Sequence, residues 1–127
     1  MVKAPVFSAP ELKANGILDR AKHECKLDDA QIATAQEFYN HHLQLCYENA
    51  DHDVIHKWAD CLWHTHILFT KDYTDYCNKV LGGYLHHIPE VPPPPPPTDA
   101  QIATENVQYT TRGWNPIPGP YATTSCH

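Results

Sequence analysis

What the chain lacks narrows its chemistry first. It is poor in cations: 9 Lys plus Arg stand against 15 Asp plus Glu, a formal charge of −6 with neutral histidines. Phosphate backbones are held by clustered cationic side chains, so nucleic acid is not an expected partner. A polybasic contact with anionic lipid is excluded on the same ground. No apolar run approaches the roughly 18 residues of a membrane span. The opening MVKAPVFSAPELKANG has no apolar stretch followed by a small-residue cleavage site, so no secretory signal is visible. Also missing are a Gly-rich phosphate loop, a P-loop and a GxSxG elbow. The five cysteines include no C-x-x-C pair, and four of them fall in predicted helices. Buried reduced thiols are the expected state, and with them a reducing, cytoplasmic compartment.

What is present is histidine, ten residues of it, and proline, twelve. Protonating all ten imidazoles would reverse the sign of the formal charge, so solubility is expected to depend on pH across the histidine range. The 127 residues suffice for one domain with one core.

The chain divides at VPPPPPPT, residues 91–98. Six consecutive prolines fit neither helix nor central strand, and a stiff polyproline II spacer is expected. Before it, residues 8–90 show helical punctuation without strand alternation, which predicts a His-rich helical domain. After it, residues 99–112 predict a C-terminal helix and 113–127 an irregular tail rich in Pro, Gly and Thr. The fold class expected is all-α, a small four- to five-helix bundle. Ser8 with Glu11 reads as a capping box for the first helix, weakened at Asn15-Gly16. The second starts near Asp28 or Asp29 and turns Ile32, Ala35, Tyr39, Leu43 and Cys46 inward. The third runs over about residues 53–68, and a fourth starts with Thr70 as its cap and stops at Gly82-Gly83. The phrase DAQIAT occurs at 29–34 and again at 99–104, each copy with a tyrosine ten positions after its Asp. Two helix starts with similar N-terminal solutions account for it.

The stretches DCLWHTHI (60–67) and GYLHHIP (83–89) each place two histidines beside bulky apolar residues. At roughly 100° per residue, His64 and His66 lie about 200° apart on a helix and cannot share one ion there. Asp60 and His64, four apart, can. Asp60 and His64 are therefore expected to meet a third ligand from His86 or His87. Alternatively, the helix loosens after Trp63 and both His64 and His66 turn to the ion, or Asp60 serves only to orient an imidazole. Competing with these readings is a set of neutral core histidines bonded to carbonyls or carboxylates. His41-His42 reads as one imidazole outward and one at the core edge. His52 and His56 read as a surface pair able to bind metal adventitiously. A Cys–His nucleophile involving Cys61 or Cys77 carries less weight, because buried helix-face thiols are usually inert.

The run A-D-C-L-W-H-T-H-I-L, then Tyr73 and Asp-Tyr-Cys, then G-G-Y-L-H-H-I-P resembles the glycine-rich domain-containing protein-like family. Matching positions are Asp60, Leu62, Trp63, His64, His66, Tyr73, Cys77, Gly82, Leu85, His86, His87 and Pro89. The resemblance implies a helical fold with a His-rich core and supplies no reaction. The chain departs from that pattern after Pro89, where the proline run replaces the usual aromatic and glycine.

Two functions follow as expectations. The first is a metal-binding protein with His64, His66, His86 and His87 as imidazole ligands, suited to Zn²⁺, Cu²⁺ or Fe²⁺. Its sharper form is a small metalloenzyme of hydrolytic or oxidative chemistry, with Asp60 or Asp72 as general base. The second is a non-catalytic interaction module offering its prolines to a proline-recognising protein, with the histidines as a structural polar network.

Overall fold

Glu11 caps a turn, although the regular helix starts later than Ser8. The Glu11 carboxylate accepts from the Lys13 and Ala14 amides at 2.9 and 3.1 Å, and the chain then passes through Gly16 at φ +82°. Only beyond that left-handed residue does α1 (Ile17–Cys25) form. The Asn15-Gly16 weakness is thus a break, and the predicted start at Ser8 is corrected. The computed structural model describes residues 2–88 and 91–125; Pro89, Cys126 and His127 lie outside them.

Helix α2 (Asp29–Tyr47) opens on Asp28, which accepts from the Gln31 amide at 2.8 Å while the Gln31 side chain accepts from the Asp28 amide at 2.9 Å. The predicted third helix loses its first residues to a strand, β1 (Val54–His56), and α3 begins at Lys57 (Lys57–Leu68). Helix α4 (Thr70–Tyr76) has Thr70 as its first residue; the preceding Phe69 offers no side-chain cap, so the predicted Thr70 cap is corrected. A π-helical turn, Cys77–Leu81, carries the chain to Gly82, where a φ of +81° stops it. The second DAQIAT copy opens α5 (Asp99–Thr111) by the same capping box as the first: Thr98 and Gln101 exchange bonds of 3.2 and 2.8 Å. Tyr39 and Tyr109, the tyrosines ten positions on, are both fully buried.

The all-α expectation is corrected by a small antiparallel sheet. The predicted irregular tail contains β2 (Ala122–Thr124), which pairs Val54 with Thr124, Ile55 with Thr123 and His56 with Ala122. Strands this short, joined across the whole length of α3, α4 and α5, leave no hairpin signal in the sequence. The fold is otherwise helical. α3 packs against α1, α2 and α4, and Trp63, Tyr39, Tyr73 and Leu62 are fully buried around it.

Two further expectations change. Cys25 and Cys61 form a disulfide joining α1 to α3, with Cα atoms 6.1 Å apart, so these two thiols are not reduced; Cys46 and Cys77 are free. The proline run, expected as a stiff spacer, also packs on the fold: prolines 93–97 line a cavity against α3 and the Pro95 carbonyl accepts from Thr124 Oγ1 at 3.2 Å. Among the described residues no helix is long and apolar enough to cross a membrane.

The N-terminal strap explains why Gly82 is a glycine. Lys3 bonds the Tyr47 carbonyl through Nζ at 2.7 Å, Ala4 N bonds Val80 O at 3.1 Å, and a Cβ on Gly82 would lie 2.6 Å from Lys3 N. Gly82→Ala is expected to cost about 1–3 kcal/mol in urea unfolding, from strain and collision together. Gly83→Ala, which meets nothing within 4 Å, should leave the midpoint unchanged.

His56 gives the fold a pH dependence. Its Nδ1 caps α3 by accepting from Trp58 N at 3.1 Å, and burial, with Lys57 adding, pushes its imidazole from 6.5 down to about 4. Above pH 6.5 folded and unfolded chains are both neutral at this residue. As pH falls toward about 4, the unfolded chain takes the proton first and stability is lost. The urea midpoint should fall across that window, and fall less in His56→Asn; equal falls would clear His56 of the effect.

Candidate metal centre

Helix α3 carries two donors four residues apart on one face, and the segment after Gly82-Gly83 brings the third. Asp60 Oδ2 lies 3.7 Å from His64 Nε2, and Asp60 Oδ1 lies 3.3 Å from His87 Nε2. The two Nε2 atoms contact each other directly. These donor atoms lie within 4.8 Å of one another. An ion at about 2.0–2.1 Å from each of its ligands in a tetrahedral site spaces them about 3.3 Å apart. Both carboxylate–imidazole separations are close to that edge, while the two imidazoles must part slightly to admit an ion.

The triad has the donor chemistry to hold a cation. Asp60 Oδ1 is buried and makes no hydrogen bond, which is costly for a carboxylate oxygen. Two imidazole nitrogens facing each other beside it need a proton or a metal between them. Burial pushes His64 below the ordinary imidazole value, with Asp60 opposing and His87 assisting, so the neutral, ligating form is favoured. Two imidazoles and one carboxylate are a donor set used by transition metals that keep coordination positions open.

The triad lines a cavity of about 710 Å³. Asp60, His64 and His87 lie on one wall, prolines 93–97 and β2 on another, and Lys57 and Ile67 complete the lining. His87 is held from behind: its ring stacks on Trp63 with centroids 3.9 Å apart. Trp63 Nε1 donates to Tyr73 OH at 2.9 Å, and Tyr73 OH donates to Leu85 O at 2.5 Å, two residues before His87. Tyr73 thereby fixes both the platform and the extended segment that bears His87.

The remaining predicted residues lie elsewhere. His66 is buried on the opposite side of α3, where its Nδ1 meets Tyr39 OH at 2.7 Å; burial pushes it down to about 4. The 200° separation from His64 is the reason. His86 points away from its neighbour, exposed, with its ring 4.8 Å from that of Tyr84. Asp72 is exposed in the first turn of α4 and does not line the cavity. Cys61 is in the disulfide, and burial raises the Cys77 thiol, so neither offers a ready nucleophile. The adventitious surface pair is corrected too: His52 and His56 are both buried, and only the former faces His42, at 2.6 Å.

Sequence reasoning missed the prolines as a cavity wall, because nothing local marks which surface a proline run lies against. Tyr73→Phe should leave the Trp63 N–H and the Leu85 carbonyl without their partner, costing about 1–3 kcal/mol in urea unfolding. It should also weaken metal uptake at His87; unchanged affinity would show that the Tyr73 bridge does not position that ligand.

No curated protein and no solved structure matches the chain. The sequence model of one family does, over residues 10–103. That match runs through the proline run, the region in which the chain departs from the glycine-rich pattern, and it overturns the resemblance to glycine-rich domain-containing proteins, which covered roughly residues 8–90 in helical layout and was specific over 59–89. The chain belongs to the UCP032817-like family.

Proposed function

We propose that this protein binds a divalent transition metal through Asp60, His64 and His87, and presents its open coordination positions to the cavity under the proline wall. The observation that carries the reading is the buried, unbonded Asp60 Oδ1 facing two apposed imidazole nitrogens. Zn²⁺, Fe²⁺ and Cu²⁺ all suit this donor set. When bound, such an ion polarises an oxygen ligand or lowers the pKa of a bound water. Asp60 acts here as a ligand, so the general-base role expected for it and for Asp72 is given up. Lys57, with its ammonium 5.1 Å from the centre of the Tyr121 ring, places a cation at the same cavity. A small ligand with an apolar body and an anionic oxygen fits the lining.

Prolines 93–97 line the cavity and Pro94 and Pro97 are half-buried there, which supports this reading, while the exposed prolines of the run leave capture by a proline-recognising partner as the second reading. The cytoplasmic location expected from the sequence drew on reduced thiols together with the absence of a visible secretory signal or membrane span, and the Cys25–Cys61 bond withdraws the first of these supports.

Protein purified without a metal column and stripped with chelator should take up Zn²⁺, with a matching rise in thermal midpoint. His64→Ala, at an exposed position, should fold normally and bind about one equivalent fewer by calorimetry and elemental analysis. Equal uptake by wild type and His64→Ala would sink the proposal.

A further inference from the structure

A second group of metal-type donors lies in the core, apart from the cavity. His42 and Cys46 are one turn apart on α2, with Cys46 Sγ 3.9 Å from His42 Nε2. His52, in the loop before β1, brings its Nε2 to 2.6 Å from His42 Nδ1. The thiol and a nitrogen from each ring all fall within 4.8 Å of one another. His42 and His52 are 0% and 3% exposed, so this is no surface cluster.

The far side of His52 is built to orient it. Its Nδ1 lies 2.8 Å from Glu105 Oε2, and Glu105 is itself 3% exposed. The other oxygen, Oε1, accepts from the Asp53 and Val54 amides, each at 3.2 Å. A carboxylate accepts only, so His52 Nδ1 carries the hydrogen and Nε2 is left with its lone pair toward His42 and Cys46. That is the carboxylate–imidazole arrangement that fixes the tautomer of metal-ligating histidines. A buried glutamate is costly without strong partners, and here one carboxylate oxygen serves the backbone at the start of β1 while the other is given to His52. The first DAQIAT copy carries Ala35 at the equivalent place, and no such carboxylate.

We propose that His42, Cys46 and His52 form a second, buried metal site, oriented by Glu105 and selective for a thiophilic ion such as Zn²⁺ or copper. One thiolate with two imidazoles suits these ions, in contrast to the oxygen-bearing triad at the cavity. Binding forms one metal–sulfur and two metal–nitrogen bonds. The thiol proton leaves to solvent, and the His42 ring places its hydrogen on the nitrogen facing away from the ion. The separation of 2.6 Å between the rings opens to about 3.3 Å in a tetrahedral site, a shift within the reach of side-chain rotation.

The test uses full-length Asp60→Ala/His64→Ala protein, which lacks the cavity triad, so that the two sites fail independently. Titration with Co²⁺ should give a sulfur-to-cobalt charge-transfer band saturating near about one equivalent, with about one proton released per ion. Adding Cys46→Ser should abolish the band while circular dichroism stays native. Glu105→Gln should keep the band and weaken binding by roughly 10- to 100-fold, as loss of an orienting carboxylate does. Absence of a band in the Asp60→Ala/His64→Ala protein, or its persistence after Cys46→Ser, would overturn the proposal and leave these residues a hydrogen-bonded chain.

Discussion

Trp63 is the side chain around which the molecule is arranged. It is fully buried, and its indole meets both histidine groups: His87 stacks on it at 3.9 Å and His42 leans on it at 4.2 Å. Its one polar atom is satisfied by Tyr73, which in turn holds the Leu85 carbonyl. An aromatic ring of this size brings a large apolar contribution and a single hydrogen-bond demand. Meeting that demand from α4 fixes where the chain leaves the π-helical turn, and hence where His87 can stand. The helical core and the position of the cavity ligand are therefore one problem with one solution.

The two clusters divide the donor chemistry between them. At the cavity, a carboxylate and two imidazoles line a pocket, with His64 the exposed member. In the core, a thiol and two imidazoles are enclosed, with a buried carboxylate behind. Both lie at α3 or against it, and α3 is tied to α1 by Cys25–Cys61 immediately after Asp60 in the chain. A rigid helix held at this point keeps the Asp60 and His64 side chains in register, since their spacing depends only on one turn of unbroken backbone.

What could be read from the sequence was local. The helix starts near Asp28 and at the second DAQIAT copy, the stop at Gly82 and the shared face of Asp60 and His64 were legible in residue type and short spacing. The capping boxes that close those two starts were seen only in the structure. The repeated DAQIAT phrase proved to be a repeated helix start. What could not be read was distant. Val54–His56 becomes a strand because a segment almost seventy positions on pairs with it, as the register of His56 with Ala122 shows. Cys25 and Cys61 join across 36 residues, and Glu105 reaches His52 across 53. No periodicity within either partner records such meetings. His86 and His87 were indistinguishable by composition; only their opposite orientations in extended chain decide which one faces Asp60.

The proline wall carries a consequence of its own. A proline has no amide hydrogen, so this side of the cavity offers carbonyl oxygens and ring methylenes but no donor from the backbone. Ordinary extended chain would have presented an alternating edge of donors and acceptors, ready to pair with any peptide strand laid beside it. Here that edge is blunted. A peptide laid along the prolines would find no amide on that side to answer its own carbonyls. The proline run itself therefore cannot supply the amide donors that a strand added along it would need.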